Sequence, residues 1–398
     1  MNNRIDVINE YQNDLVEWRR DFHMHPETGF TEVRTSRRIV EILNNFKGVE
    51  VLSGFCKTAV IATLVGKEDG PIIGLRADID ALPLVDQKDV EYRSKNPGKC
   101  HACGHDMHTT TALGVLRYYS EHIEELNGTL KVIFQPAEEG PAPGGAKLVV
   151  ETGKVDDVDA FIGFHTNPDH EVGTLLLRRN EMLASADNFT IIIKGTGGHG
   201  AYPHQTKDSL STAVEVYSKL QFMLTREVDP VKATALSVCS INGGTPKGTN
   251  VIPHSTSMSG TFRTFDNDIR LGIIDRIKEI LESVCTLNNC TYEMDIATVS
   301  IPLYNDDDLV DIFEEVGNEI IGKDKTSYMK FPEMGYDDFA YYGLKAKAAY
   351  LYLGTTKKED IGKFTFHQPL FDIDETCMPI AVNLLTNIID EVIEKGVK

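Results

Sequence analysis

Three short apolar runs, at 72–75, 130–134 and 160–164, constrain the fold of this chain more than any other feature, because each ends on side chains of chemical use. The first leads into Arg76-Ala-Asp-Ile-Asp80, the second into Gln135-Pro-Ala-Glu-Glu139, and the third directly into His165. The sequence between them carries helical periodicity. Continuous apolar runs separated by helical segments read as strands buried on both faces, and such strands belong to a largely parallel sheet covered by helices. Open α/β sheets take their ligands just past the carboxyl ends of the strands. An α/β fold with a site at those three strand ends is therefore the expectation.

The chain has 398 residues, more than one hydrophobic core usually supports, so two domains are expected. Its opening reads as one helix, with Ile5, Val7, Ile8, Tyr11, Leu15 and Trp18 at helical spacing before His25-Pro26-Glu27. From about Ala186 the pattern changes. A strand at 188–194 precedes a helix at 208–227 with Leu210, Ala213, Val214, Tyr217, Leu220 and Leu224 on one face. Strands at 234–241 and 255–265 follow, then a helix carrying Ile269, Ile273, Ile277, Ile280, Leu281 and Val284, and a strand at 291–299. The order β-α-β-β-α-β is the split, ferredoxin-like one. Strand character resumes at 349–353, so residues 186–295 read as a small domain inserted between the 1–185 and 296–398 parts of the larger one.

A formal charge of −20 without a Lys/Arg run argues against nucleic-acid binding. The seven cysteines are odd in number and lack a repeated spacing, which fits a reducing cytoplasm better than a disulfide framework. No apolar run reaches the length of a membrane span, and the opening Met-Asn-Asn-Arg-Ile-Asp lacks the apolar stretch of a secretory leader.

The densest chemistry lies in His101-Ala-Cys-Gly-His-Asp-Met-His108. Cys103 and His105 stand two apart in a segment too rich in Gly and His to lie mid-helix, with a helix starting near Asp106 and continuing through Ala112, Leu113, Val115 and Leu116. Glu139, His165 and a late His367, in Phe366-His-Gln-Pro369, bring the donors to five. A hydrophobic core has no use for such a set, but a divalent cation does. Glu138 precedes Glu139 in a loop followed by the turn-forming Gly140-Pro-Ala-Pro-Gly-Gly145, so one carboxylate can hold metal while its neighbour moves a proton. A general base of that kind contributes about 10²–10⁴-fold in rate. The residues thus describe a metal-dependent hydrolase. A thiol enzyme using Cys103, the rival from another class, leaves Glu138, Glu139 and His367 without a task. His101, His108 and His204 read as supporting or exposed, and Cys100 as incidental.

Arg76-Ala-Asp-Ile-Asp-Ala-Leu-Pro83, His101-Ala-Cys-Gly-His-Asp106, Pro136-Ala-Glu-Glu-Gly140, Gly197-Gly-His-Gly-Ala-Tyr-Pro-His204 and Asn250-Val-Ile-Pro253 occur together and in this order. With Arg19-Arg-Asp-Phe-His-Met-His-Pro-Glu27 they resemble the binuclear metallo-amidohydrolase family of aminoacylases, hippurate hydrolase and indole-acetyl amino acid hydrolases, related to carboxypeptidase G. The resemblance implies a zinc-exopeptidase-like α/β catalytic domain with an inserted ferredoxin-like α+β lid and dimerisation domain. It implies two divalent metal ions per subunit, held by Cys103, His105, Glu139, His165 and His367; zinc, manganese, cobalt and nickel all suit such donors. Glu138 is then the general base, and Asp78 and His199 complete the catalytic set, Asp78 by orienting ligands and His199 by binding the substrate's carbonyl oxygen. Asn250 and Arg263 resemble the positions that hold a substrate carboxylate, a task suited to a guanidinium. The family's exopeptidase branch has a histidine ligand where this chain has Arg76, so the resemblance points to the aminoacylase-type branch. The implied substrate is a small N-acyl amino acid, and the implied assembly a homodimer or larger homo-oligomer. An N-acetyl-diaminopimelate deacetylase or a dipeptidase on the same centre is the alternative. Asp337-Asp338-Phe339 also resembles a family segment, without a role that the sequence gives.

Overall fold

The computed structural model describes residues 3–67 and 69–395. Residues 1, 2, 68 and 396–398 lie outside the described residues, and with them the first two positions of the opening segment and the end of the 296–398 part. The chain forms two compact units: Met1–Met182 with Tyr304–Pro332 and Asp337–Lys398, and Leu183–Leu303 with Glu333–Tyr336.

The larger unit is built on an eight-stranded sheet. Its four central strands, Thr129–Gln135, Ile72–Asp78, Ala160–Glu171 and Lys347–Thr356, run parallel and are almost wholly buried. The expectation of a parallel sheet holds there and fails at both edges, where Leu175–Leu177 pairs antiparallel with Lys347–Thr356 on one side and a hairpin pairs antiparallel with the central strands on the other. Val49–Phe55 and Ala59–Val65 form an antiparallel hairpin that pairs antiparallel with Thr129–Gln135. Only residues 56–58 join those two strands, far too few for a parallel crossover. Two helices against the sheet, His105–Glu121 and Cys377–Lys395, are buried on nearly every face because each also packs on the other and on Gln12–Met24.

The single opening helix of the sequence reading is two, Ile5–Asn9 and Gln12–Met24. Glu10 and Tyr11 donate to Val7 and Ile8, three residues back, and this tighter turn keeps Ile8, Tyr11 and Leu15 all in the core. The second helix buries Arg19 completely. Its guanidinium reaches Asp106 at 2.8 Å and Asp372 at 2.7 Å, which ties the helix to the first turn of His105–Glu121.

The smaller unit has the split β-α-β-β-α-β order, with a four-stranded antiparallel sheet ordered Thr234–Gly243, Ser255–Thr264, Ala186–Lys194, Thr291–Ser300. Its last strand pairs with Ala186–Lys194 as far as Ser300, so this unit continues past residue 295 to Leu303. The helices Ser209–Arg226 and Asn267–Leu287 start on Asp208 and Asp266, whose side chains accept from the second and third helical amides. The apolar face expected of the first helix is in fact two faces. Ala213, Val216, Leu220 and Met223 pack into the core with Ile277 and Leu281, whereas Leu210, Val214 and Tyr217 are exposed. Among the described residues no helix is long and apolar enough to cross a membrane.

Candidate metal centre

The three strands deliver their side chains in different ways. Asp78 is the last residue of Ile72–Asp78, and Glu138 and Glu139 follow Thr129–Gln135 in a loop. His165 lies inside its strand and not past its end, because Ala160–Glu171 stays paired with Lys347–Thr356 from His165↔Tyr352 to Glu171↔Thr356. Gly104 precedes the helix that starts on His105, in the left-handed region at φ 88°. A Cβ there would stand 2.7 Å from Thr166 Oγ1, so only glycine lets Cys103 and His105 approach the His165 strand this closely.

Each donor is oriented by the atom it does not offer to a metal. His105 Nδ1 donates to the Asp80 carbonyl at 2.9 Å, which leaves Nε2 with a lone pair, buried and without a hydrogen-bond partner. His165 Nδ1 donates to the Thr166 carbonyl at 2.8 Å and turns Nε2 to within 3.4 Å of Cys103 Sγ. His367, at φ 60°, is anchored through its main-chain N–H to the Ala102 carbonyl at 2.8 Å. Its Nε2 lies 3.0 Å from Glu139 Oε1, an oxygen that accepts no aligned hydrogen bond. Two donors on one zinc at 2.0–2.3 Å stand about 3.3–3.7 Å apart, so the 3.4 Å between Cys103 Sγ and His165 Nε2 is the spacing of atoms that share a cation, while His367 Nε2 and Glu139 Oε1 lie closer, at an ion-pair distance. The groups Cys103/His105/His165, Cys103/Glu139/His367 and His105/Glu138/Glu139 each keep their donor atoms within 4.8 Å of one another. The residues therefore fit divalent metal.

His108 also neighbours His105 and Asp78 but has nothing left to offer. Its Nδ1 donates to Asp78 at 2.6 Å, and its Nε2 accepts the Thr166 amide at 3.0 Å. Both nitrogens are spent, which makes it a neutral brace for Asp78 and for the His165 strand.

The electrostatics favour added positive charge. Burial together with Asp337, Glu139 and Asp338 holds the Glu138 carboxyl well above the usual carboxylate range. Although burial opposes charge on His105, Asp78, Asp80 and Glu139 push its pKa up to about 10. Burial and the carboxylates Glu139, Glu138 and Asp78 push the Cys103 thiol far up. A nucleophilic cysteine needs the opposite environment, so these surroundings count against the thiol-enzyme rival and suit a thiol that a cation deprotonates.

Arg76 is a buried counter-ion. It reaches Asp78 at 2.6 Å, Asp338 at 2.9 Å, Asp337 at 3.0 Å and Gln135 at 2.8 Å. This gives the Asp337-Asp338 segment its place. Asp80 joins the cluster too, at 3.0–3.1 Å from the amides of Glu138 and Glu139. Sequence reasoning gave Asp80 and the Asp337-Asp338 segment no role and read His108 as supporting or exposed, where it is a buried support. Asp80 lies two residues from Asp78, and His108 three from His105 on the same helix face, so spacing signalled both. Nothing local links Arg76 to residues 337 and 338.

In the smaller unit, His199 is exposed on the short strand Gly198–His199, where it pairs with Val251. The Gly200 amide donates to the Asn250 carbonyl at 2.8 Å, so the pairing brings His199 and Asn250 together. Arg263 lies on Ser255–Thr264, its guanidinium over the Tyr336 ring and donating to the Met334 carbonyl at 3.2 Å.

The model of peptidase family M20/M25/M40 matches residues 74–391. The chain is 35% identical over 368 residues to N-acetylcysteine deacetylase of Bacillus subtilis, covering 92% of this chain and 93% of that protein. It is 39% identical over 287 residues to N-acyl-L-amino acid amidohydrolase of Geobacillus stearothermophilus, covering 72% and 76%. Among solved structures, the YXEP protein of Bacillus subtilis, described as a dinuclear metal-binding peptidase, superposes with a TM-score of 0.82 at 32% identity, covering 98% of this chain and 100% of that one.

Proposed function

The chain belongs to peptidase family M20/M25/M40, and we propose that it is a metal-dependent amidohydrolase that cleaves N-acyl amino acids to a carboxylate and a free amino acid. The observation that carries this reading is the convergence of the Cys103, His105, Glu139, His165 and His367 donors beside Glu138. These five would hold two divalent ions, with zinc, manganese, cobalt and nickel as candidates; the dinuclear description of the B. subtilis neighbour supports the number. Bound divalent ions supply a water of lowered pKa and polarise an acyl carbonyl.

Glu138 takes the proton of the attacking water as the new C–O bond forms, then passes it to the amine as the amide C–N bond breaks. Its buried, carboxylate-rich surroundings favour the protonated form it passes through. Asp78 acts by orientation, holding His108 and Arg76 in place. To His199 we assign the carbonyl oxygen of the substrate, and to Asn250 and Arg263 its α-carboxylate. The smaller unit serves as lid and dimerisation domain; the exposed apolar Leu210, Val214 and Tyr217 on one helix support a homodimer or larger homo-oligomer. Cysteines that are all free support a cytoplasmic location.

Release of free amino acid from acetyl, benzoyl, indole-acetyl and long-chain acyl amino acids, and from dipeptides, tests this with added Mn²⁺ or Zn²⁺ and again after chelation. Metal-dependent cleavage of acyl amino acids is expected. Activity indifferent to chelators, or none on the panel, overturns the reading. Preferential cleavage of dipeptides supports the second reading, a peptidase, which the description of YXEP favours.

A further inference from the structure

A second group of metal-type donors shares no residue with the Cys103, His105, Glu139, His165 and His367 set. His23, in the last turn of Gln12–Met24, Asp86 and Cys100 are 0%, 3% and 0% exposed. Their donor atoms all lie within 4.8 Å of one another. His23 Nε2 is buried without a hydrogen-bond partner and stands 3.5 Å from Asp86 Oδ2. That separation is long for a hydrogen bond, but two donors on one zinc stand about 3.3–3.7 Å apart. The other ring nitrogen is committed. His23 Nδ1 donates to Asp106 Oδ2 at 2.7 Å, and Arg19 holds the same oxygen at 2.8 Å. A carboxylate behind an imidazole fixes the tautomer that leaves Nε2 its lone pair, as it does behind metal-bound histidines. Asp86 is fixed as well. Its Oδ1 accepts from the Lys88 amide at 3.0 Å and its Oδ2 from the Ser94 amide at 3.0 Å. Lys88 Nζ lies 3.3 Å from Oδ1 and donates to the Phe371 carbonyl at 2.9 Å, so the ammonium stands on the Oδ1 side and Oδ2 meets His23. The main chain of Cys100 pairs with Leu82 in both directions at 3.0 Å. Burial pushes its thiol up to about 12, so it keeps its proton until a cation displaces it. His101 beside it is also buried, with neither ring nitrogen in a hydrogen bond and its ring 6.2 Å from that of His23.

We infer that His23, Asp86 and Cys100 form a further site for a divalent cation of the zinc class, which staples the segment leading to Cys103 and His105 onto the helix Gln12–Met24. An imidazole, a carboxylate and a thiolate are donors that zinc takes, with water completing the four. The two anionic donors offset the dication. The position of the site gives the staple a task. Residues 79–104 contain no helix and no strand beyond isolated bridges, a long irregular stretch for a compact unit. Asp86 and Cys100 lie within it, and Cys103 and His105 follow directly. The site stands on its own residues and does not rest on the function proposed above. The competing arrangement is a metal-free His23 that carries a proton on both nitrogens and bridges Asp106 and Asp86.

The test counts zinc bound after dialysis in wild type, Cys100→Ser and His23→Gln. It also follows the near-ultraviolet thiolate-to-metal band of Co²⁺-loaded Cys103→Ser, with and without Cys100→Ser. Wild type is expected to hold one zinc ion per chain more than either single variant. Cys103→Ser is expected to keep a thiolate-to-cobalt band that falls about tenfold when Cys100→Ser is added. With zinc present, Cys100→Ser should melt a few degrees below wild type, and the gap should close once both are stripped by a chelator. Equal zinc in all three proteins, no band in Cys103→Ser, or a melting gap indifferent to chelation overturns the inference, and the first two leave His23 as a proton-carrying bridge. Where a variant does not fold, zinc-grown crystals of wild type decide: an anomalous peak at the zinc edge among His23 Nε2, Asp86 Oδ2 and Cys100 Sγ is expected, and its absence overturns the inference. A wild type that holds this zinc but cleaves no acyl amino acid or dipeptide condemns the proposed function alone.

Discussion

Around Cys103, the rings of His105, His108 and His165 are fixed by the fold and buried, whereas His199 and Asn250 stand exposed on a ribbon of two-residue strands. In the larger unit His105, His108 and His165 each spend one ring nitrogen on a carbonyl or carboxylate of the fold. In the smaller unit, His199 Nδ1 accepts only from the amide of Ala201, two residues on, at 3.1 Å. The contrast follows the tasks proposed for them. Donors that must converge on a cation are useful only at fixed distances, and fixing them in a low-dielectric interior demands that every remaining polar atom be satisfied. Groups that grip a substrate arriving from solvent need only be presented, so an exposed ribbon suffices.

The contrast is sharpest if Glu138→Gln is nearly inactive. We expect kcat to fall about 10²–10⁴-fold, with bound-metal content unchanged, because the amide cannot carry the proton. Near-normal turnover would remove the proton-transfer task from the buried centre. His199→Ala is expected to lower kcat about 10²–10³-fold, the scale for deleting a donor to a developing oxyanion. Activity within twofold of wild type would make the exposed histidine an ordinary surface residue. For Arg263→Lys the expected outcome is a KM about tenfold higher at similar kcat, since the compact ammonium loses the two-pronged grip on a carboxylate. An unchanged KM for the amino acid portion would place carboxylate recognition elsewhere.

The smallest effect concerns stability. Burial and the neighbouring Asp80 push Glu32 up from 4.5 to about 7. A carboxyl whose folded pKa is raised contributes stability below its unfolded pKa and loses that contribution as pH rises through the folded value. Thermal melts of wild type should therefore lose a few degrees between about pH 5 and pH 8 that Glu32→Gln does not lose. Parallel pH profiles for the two proteins would show that Glu32 is not held in this way.

Much of the fold was legible because its signals are local. The runs at 72–75, 130–134 and 160–164 specify buried strands by composition alone, and Asp208 and Asp266 mark helix starts by their own side chains. The five donors were legible because their chemistry is unusual at that density. Other features answer to partners distant in the chain. The exposed face with Leu210, Val214 and Tyr217 carries the same periodicity as the buried one, and sequence cannot say which of two apolar stripes meets the sheet. His165 reads as a strand end because its run of apolar residues stops, but strand pairing continues to Glu171.

The sequence by itself determined which atoms are available: a thiol, imidazoles and paired carboxylates at the ends of buried strands, in a chain whose second half inserts a split α+β unit. Only the tertiary structure decided how each is used. His105 and His108 lie one helical turn apart and look interchangeable. One keeps a free lone pair because its other nitrogen meets the Asp80 carbonyl, and the other loses its own to the Thr166 amide, 58 residues away. Arg76 finds two of its counter-charges only in Asp337 and Asp338, more than 260 residues on. A buried polar atom must find a partner, and which partner it finds is a property of the packed fold and not of its neighbours in sequence.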